Sequence, residues 1–177
     1  MITRQNPYPL LTHNFLDYFV NDTLRNKTLL EIGSGESTLF WEKYFRKIVS
    51  YEDNWNFYND IKRKINNKKT SLLFFKKNIF NDLQFLKNVQ EADYIIIDNN
   101  PNNIDRCLFC EFMKKNKKET CSIILDNGTW NLTAYRCLSQ DFFCKDFPGI
   151  NKMNELTVTT IFDERKSSSY YRYTRTE

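Results

Sequence analysis

Glycine and proline are scarce in this chain. Of its 177 residues only 4 are Gly and 4 are Pro. Turn-rich and low-complexity architectures are thereby excluded, and each remaining glycine marks a particular demand of the backbone. There is one histidine, His13, so a histidine-based metal cluster is unavailable. His13 is read as a surface or helix-start residue. No apolar run approaches the ~20 residues of a membrane span. Residues 1–9 lack the apolar core of an export signal. The expectation is a cytoplasmic protein with no membrane partner. The 5 cysteines, Cys107, Cys110, Cys121, Cys137 and Cys144, are an odd number and fit reduced thiols better than a disulfide framework. Cys107 and Cys110 form C-x-x-C inside a predicted helix, with no second pair at zinc spacing. An excess of one charge is missing too. The chain has 26 basic and 22 acidic residues, a net charge of +4, which argues against a dedicated nucleic-acid binder.

What is present is apolar and aromatic. Hydrophobic residues make up 41% of the chain and aromatics 16%, enough for one domain with a proper core. The expected organisation is a single domain over residues 1–164 with a short N-terminal helical cap. Residues 165–177, which alternate Arg, Tyr and Ser, read as a flexible tail.

The stretch from Thr28 to Glu52 organises the rest. An apolar run, Leu29-Leu30-Glu31-Ile32, enters the turn Gly33-Ser34-Gly35. Glu36-Ser37-Thr38 then opens a helical pattern, predicted over Ser37 to Phe45. A second apolar run, 47–51, ends at Glu52. Strand, glycine turn, helix, strand and acid follow one another. Glycines bring the backbone close to a ligand at a strand's carboxyl end. A helix start offers N–H groups and partial positive charge. An acid after the next strand can accept the two hydroxyls of a ribose.

Further along, strands are expected at 71–75, 93–98 and 122–126. The run Tyr94-Ile95-Ile96-Ile97 has the continuous apolarity of a central parallel strand buried on both faces. Helices are expected between these strands and over 131–139, with last strands at 142–147 and 156–162. Asp98 and Asp126 each end a strand, where open α/β sheets bind ligands.

The turn is not a dinucleotide fingerprint, because Thr38 stands where G-x-G-x-x-G needs its third glycine. It resembles motif I of class I S-adenosylmethionine-dependent methyltransferases, E/D-x-G-x-G, through Glu31, Gly33 and Gly35. The longer form E-x-G-S-G-x-S-T resembles a small subgroup of bacterial and phage type. Phe147-Pro148-Gly149 and Thr159-Thr160-Ile161-Phe162 match that subgroup's ending. The resemblance spans about residues 25–165. It implies a Rossmann-like α/β fold, a seven-stranded, mostly parallel sheet in the order 3-2-1-4-5-7-6 with helices on both faces. It also implies S-adenosylmethionine as cofactor. Glu31, Gly33, Ser34, Gly35, Ser37 and Thr38 would shape the pocket for its methionine portion, and Glu52 would hold the ribose. Asn78 and Ile79 would meet the adenine. Asp98, in the motif IV-like Asp98-Asn99-Asn100-Pro101, would lie beside the sulfonium and the acceptor.

Methyl transfer from a sulfonium needs alignment and, where required, removal of a proton; it needs no covalent nucleophile. Asp98 and Asp126 are the catalytic candidates, acting on a small-molecule or sugar-type acceptor at oxygen. A second resemblance is to cation-dependent catechol-type O-methyltransferases, through Asp126-Asn127-x-x-Trp130. It would make Asp98, Asp126 and Asn127 ligands of a divalent cation, since their oxygens are hard donors. Amino-methylating DNA enzymes fit less well, because Asn100-Pro101-Asn102-Asn103 lacks their aromatic. A non-catalytic S-adenosylmethionine-binding partner subunit is a further alternative, since fold does not fix function.

Overall fold

The computed structural model describes residues 7–76, 78–100 and 105–164. The tail from 165 onward and the Pro101–Asn103 part of the motif IV-like stretch lie outside them. Seven strands form one sheet: β1 (Thr28–Ile32), β2 (Lys47–Glu52), β3 (Thr70–Phe74), β4 (Tyr94–Ile97), β5 (Ser122–Leu125), β6 (Phe142–Ile150) and β7 (Leu156–Glu164). Their order is β3-β2-β1-β4-β5-β7-β6, as the resemblance implied. The first five strands pair in parallel, and β7 runs antiparallel to both β5 and β6. Among the described residues six α-helices accompany them: α1 (His13–Phe19), α2 (Glu36–Trp41), α3 (Trp55–Lys64), α4 (Leu83–Glu91), α5 (Arg106–Asn116) and α6 (Leu132–Ser139). None among the described residues is long and apolar enough to cross a membrane. All five cysteines are free thiols.

The central strands bury both faces because every second residue belongs to a different core. Leu30, Ile32, Ile95, Ile97, Ile123 and Leu125 pack with Phe85 of α4, Phe109 of α5 and Leu138 of α6. Leu29, Ile48, Ile96 and Ile124 face the other way, against Phe15 of α1 and Phe40 and Trp41 of α2. Each fully buried aliphatic side chain contributes about 1.5–3 kcal/mol. Helix starts are set locally. The Asn54 side chain accepts from the Asn56 and Phe57 N–H groups, and Asp82 does the same for Gln84 and Phe85. Both are N-caps that satisfy otherwise unpaired donors.

Two elements differ most from the sequence expectation. Helix α2 stops at Trp41 rather than Phe45, because the next residues tighten: Lys43 N–H donates to the Phe40 carbonyl and Tyr44 N–H to that of Trp41. The Phe45 N–H still reaches the Trp41 carbonyl at 3.1 Å, and the Phe45 ring packs 5.7 Å from that of Trp41. Strand β6 continues past Phe147 through Pro148 to Ile150. It is the sheet edge, where a proline without an N–H is tolerated. The α1 start covers part of that edge. Thr12 Oγ1 donates to the Phe147 carbonyl at 3.0 Å and Asn14 Nδ2 to that of Pro148 at 2.6 Å.

Candidate functional site

A cleft of about 460 Å³ opens at the carboxyl ends of β1, β2 and β4. Gly33, Ser34, Gly35 and Ser37 form its floor, Glu52 and Asn54 one side, and Asp98, Asn100 and Arg106 another. Tyr8, Pro9 and Leu10, from the segment before α1, and Lys152 and Met153, from the β6–β7 turn, complete it.

The two glycines serve different ends. Gly33 has φ +92°, and a Cβ there would lie 2.6 Å from the Asp98 carbonyl oxygen and 2.7 Å from Asn99 Cα. Only glycine permits β1 to leave the sheet so close to the end of β4. At Gly35 the nearest atom to an added Cβ is Ser37 Oγ, 4.0 Å away. A side chain at Gly35 would therefore occupy cleft space rather than protein, which is what a ligand cradle requires. The Gly35 N–H itself donates to Thr38 Oγ1 at 3.1 Å.

Glu52 ends β2 and is 6% exposed. Its Oε2 accepts from the Ser34 N–H at 2.8 Å and from Ser34 Oγ at 3.0 Å, and its Oε1 from the Asn54 N–H at 2.8 Å. Burial raises its pKa, and these hydrogen bonds offset part of the rise. The carboxylate thus ties the glycine turn to the start of α3 at the cleft wall.

Glu31 is fully buried beneath the turn. Its Oε1 accepts from Ser37 Oγ at 2.6 Å, and its Oε2 from Thr38 Oγ1 at 2.6 Å and Ser50 Oγ at 2.7 Å. Burial pushes its pKa up to about 7 against the pull of these three hydroxyls. Thr38 is likewise fully buried. Of the expected methionine-pocket residues, Gly33, Ser34, Gly35 and Ser37 line the cleft, whereas Glu31 and Thr38 support it from below.

Asn78 and Ile79 are not in this cleft. They line a separate hollow of about 340 Å³ with Tyr51, Leu73 and Phe75 beyond the end of β3. Asn78 takes a left-handed conformation, φ 80°, and Ile79 is buried.

Asp98 faces the cleft with its side chain 22% exposed. Asp126 does not: it is fully buried. Its Oδ1 accepts from Thr159 Oγ1 at 2.8 Å and its Oδ2 from Asn127 Nδ2 at 2.7 Å. Burial and the nearby Asp98 charge raise its pKa to about 8. Asn127 has φ 54°, and its Oδ1 accepts from Thr157 Oγ1 at 2.7 Å. The ligand oxygens expected of Asp126 and Asn127 are therefore committed to β7 and to each other. This donor set does not fit the catechol-type cation centre.

The residue that sequence reasoning missed is Arg106, 5% exposed. Its Nη2 donates to Asp98 Oδ1 at 3.1 Å, its Nη1 to the Asp126 carbonyl at 2.7 Å and its Nε to the Asn99 carbonyl at 2.8 Å. One signal pointed to it. Arg106 opens α5, where a cation opposes the helix dipole, while Lys114 and Lys115 sit at the favourable end. A basic residue in that place needs a partner elsewhere.

No family model matches the chain and no curated protein matches it in sequence. Solved structures do match in fold. A putative O-methyltransferase from Klebsiella pneumoniae aligns at 16% identity over 86% of this chain and 79% of its own, with TM-score 0.65. An O-methyltransferase from Bacillus cereus, solved with SAH, aligns at 16% identity over 85% and 80%, TM-score 0.64. A methyltransferase from Pyrococcus furiosus aligns at 19% identity over 84% and 78%, TM-score 0.61. The chain has the Rossmann-like methyltransferase fold.

Proposed function

We propose that the chain is an S-adenosylmethionine-dependent methyltransferase of the small E-x-G-S-G-x-S-T kind, acting in the cytoplasm at an oxygen of a small-molecule or sugar-type acceptor. The observation that carries this reading is the cleft itself. A glycine turn leaves ligand space at Gly35, and a strand-end acid, Glu52, stands on the adjoining wall. The fold shared with O-methyltransferases supports it. Leu10, Phe57 and Met153 expose apolar surface around the cleft, which suits an acceptor with an apolar body beside its hydroxyl.

S-adenosylmethionine supplies a methyl group already activated on a sulfonium. The protein's work is alignment. Glu52 holds the ribose hydroxyls, and Ser34, Gly35 and Ser37 bound the methionine portion. Asp98 accepts a hydrogen bond from the acceptor hydroxyl and orients its oxygen. The methyl carbon would pass to that oxygen, and the sulfonium sulfur would keep the electron pair of the bond it loses. The hydroxyl proton passes to Asp98 and from there to cleft water.

The test is calorimetric titration of S-adenosylhomocysteine into wild type and Glu52→Ala. Wild type binds. The variant loses on the order of 2–5 kcal/mol, the worth of two charge-assisted hydrogen bonds. No binding to wild type ends the reading, and unchanged affinity in the variant removes Glu52 from the site.

A further inference from the structure

In a catechol-type centre a cation would sit between the carboxyl ends of β4 and β5. Here a side chain is there. The Arg106 guanidinium gathers one Asp98 carboxylate oxygen and the carbonyl oxygens of Asn99 and Asp126, at 3.1, 2.8 and 2.7 Å. A carboxylate and two carbonyls are the hard oxygen donors that a Mg²⁺ or Ca²⁺ site uses. A guanidinium presents five N–H donors in a fixed plane, always charged, and is less strongly hydrated than an ammonium. It can therefore replace a small cation in such a cradle without ordered water. The remaining expected ligands face elsewhere, with the Asp126 carboxylate on Thr159 and Asn127, and the Asn127 side-chain oxygen on Thr157.

We propose that Arg106 is the resident cation of this site, so that no divalent ion takes part. The role of Asp98 rests on the methyltransferase reading; the occupation of the cradle by Arg106 does not. The Arg106 fork holds Oδ1 of Asp98 from the α5 side, and the carboxyl group still reaches the cleft. The same fork ties the Asn99 and Asp126 carbonyls to the start of α5.

The experiment uses Mn²⁺ as the probe, with uptake read from loss of the free-ion paramagnetic resonance signal, in the presence and absence of S-adenosylhomocysteine. Wild type is expected to take up no Mn²⁺ at millimolar concentration. Its affinity for S-adenosylhomocysteine is expected to be the same with a chelator present. Arg106→Ala empties the cradle and is expected to gain one Mn²⁺ per chain, which the double variant Arg106→Ala/Asp98→Asn loses again. Arg106→Met, which keeps the aliphatic stem, replaces Arg106→Ala if the latter does not fold. Stoichiometric uptake by wild type that Asp98→Asn abolishes would overturn the proposal, as would a folded Arg106 variant that gains no Mn²⁺ site. Failure of S-adenosylhomocysteine to bind wild type sinks the methyltransferase reading alone, because the Mn²⁺ result is read without it.

Discussion

Glu31 lies one residue before the end of β1 and Asp98 one residue past the end of the neighbouring parallel strand β4, yet their surroundings differ. Glu31 is fully buried, and its partners are three neutral hydroxyls from α2 and β2. Asp98 keeps a 22% exposed side chain, and its partner is the Arg106 guanidinium. Burial is the largest cause raising the pKa of each. For Glu31 only hydroxyls oppose it; for Asp98 a formal charge does. The comparison teaches that a strand-end acid's position does not set its role. Glu31 is surrounded by protein and binds the turn, α2 and β2 together. Asp98 is held on one side and open on the other, so it can meet a ligand.

The sharpest way to break this comparison is to remove the cation. Arg106→Ala leaves a partly buried carboxylate and two carbonyls without their donor, and should cost roughly 3–5 kcal/mol. Urea unfolding measures it. A loss under about 1 kcal/mol would mean the guanidinium carries no more than a surface pair.

The next effect concerns Glu31 and has a definite sign. Its folded pKa, about 7, lies above the ordinary 4.5. The folded state thus holds a proton that the unfolded state has lost between those values. Stability from this group is full below about pH 4.5 and falls as pH rises through 7, by roughly 3 kcal/mol in all. Glu31→Gln should flatten that part of the pH profile, read by chemical denaturation at pH 5 and pH 8. An unchanged slope would show that the hydroxyls hold Glu31 ionised throughout.

The smallest effect is expected at the cleft mouth. Lys152 of the β6–β7 turn pairs with Glu36 at the start of α2, and both side chains are substantially exposed. Lys152→Ala should change stability by less than about 1 kcal/mol, and added salt should erase the difference. A larger, salt-resistant loss would place this pair with the buried clusters.

Much of the fold was legible because its signals are local. The apolar runs at Leu29–Ile32 and Tyr94–Ile97 could only be strands covered on both faces, and the helical spacings between them required crossovers and a parallel sheet. The apolar run Leu29–Ile32 lies wholly within β1. Less was legible at the cleft. Tyr8, Lys152 and Met153 reach it from the two far ends of the chain, and no spacing rule connects them to Gly33. Asn78 and Ile79 follow β3 and line a hollow separate from the cleft, with Asn78 in the left-handed region.

The sequence by itself determined the alternation of strands and helices, the glycine turn that follows β1, and which acids stand at or near strand ends. Periodicity and backbone sterics act within a few residues, so they can be read along the chain. Only the tertiary structure decided which acids face the cleft. Thr157 and Thr159, some thirty residues later in the chain, hold Asn127 and Asp126 on the β7 side. Arg106, from the start of α5, takes the space between the strand ends. Those outcomes depend on donors and acceptors meeting across the sheet, where buried polar groups must find partners wherever the fold supplies them.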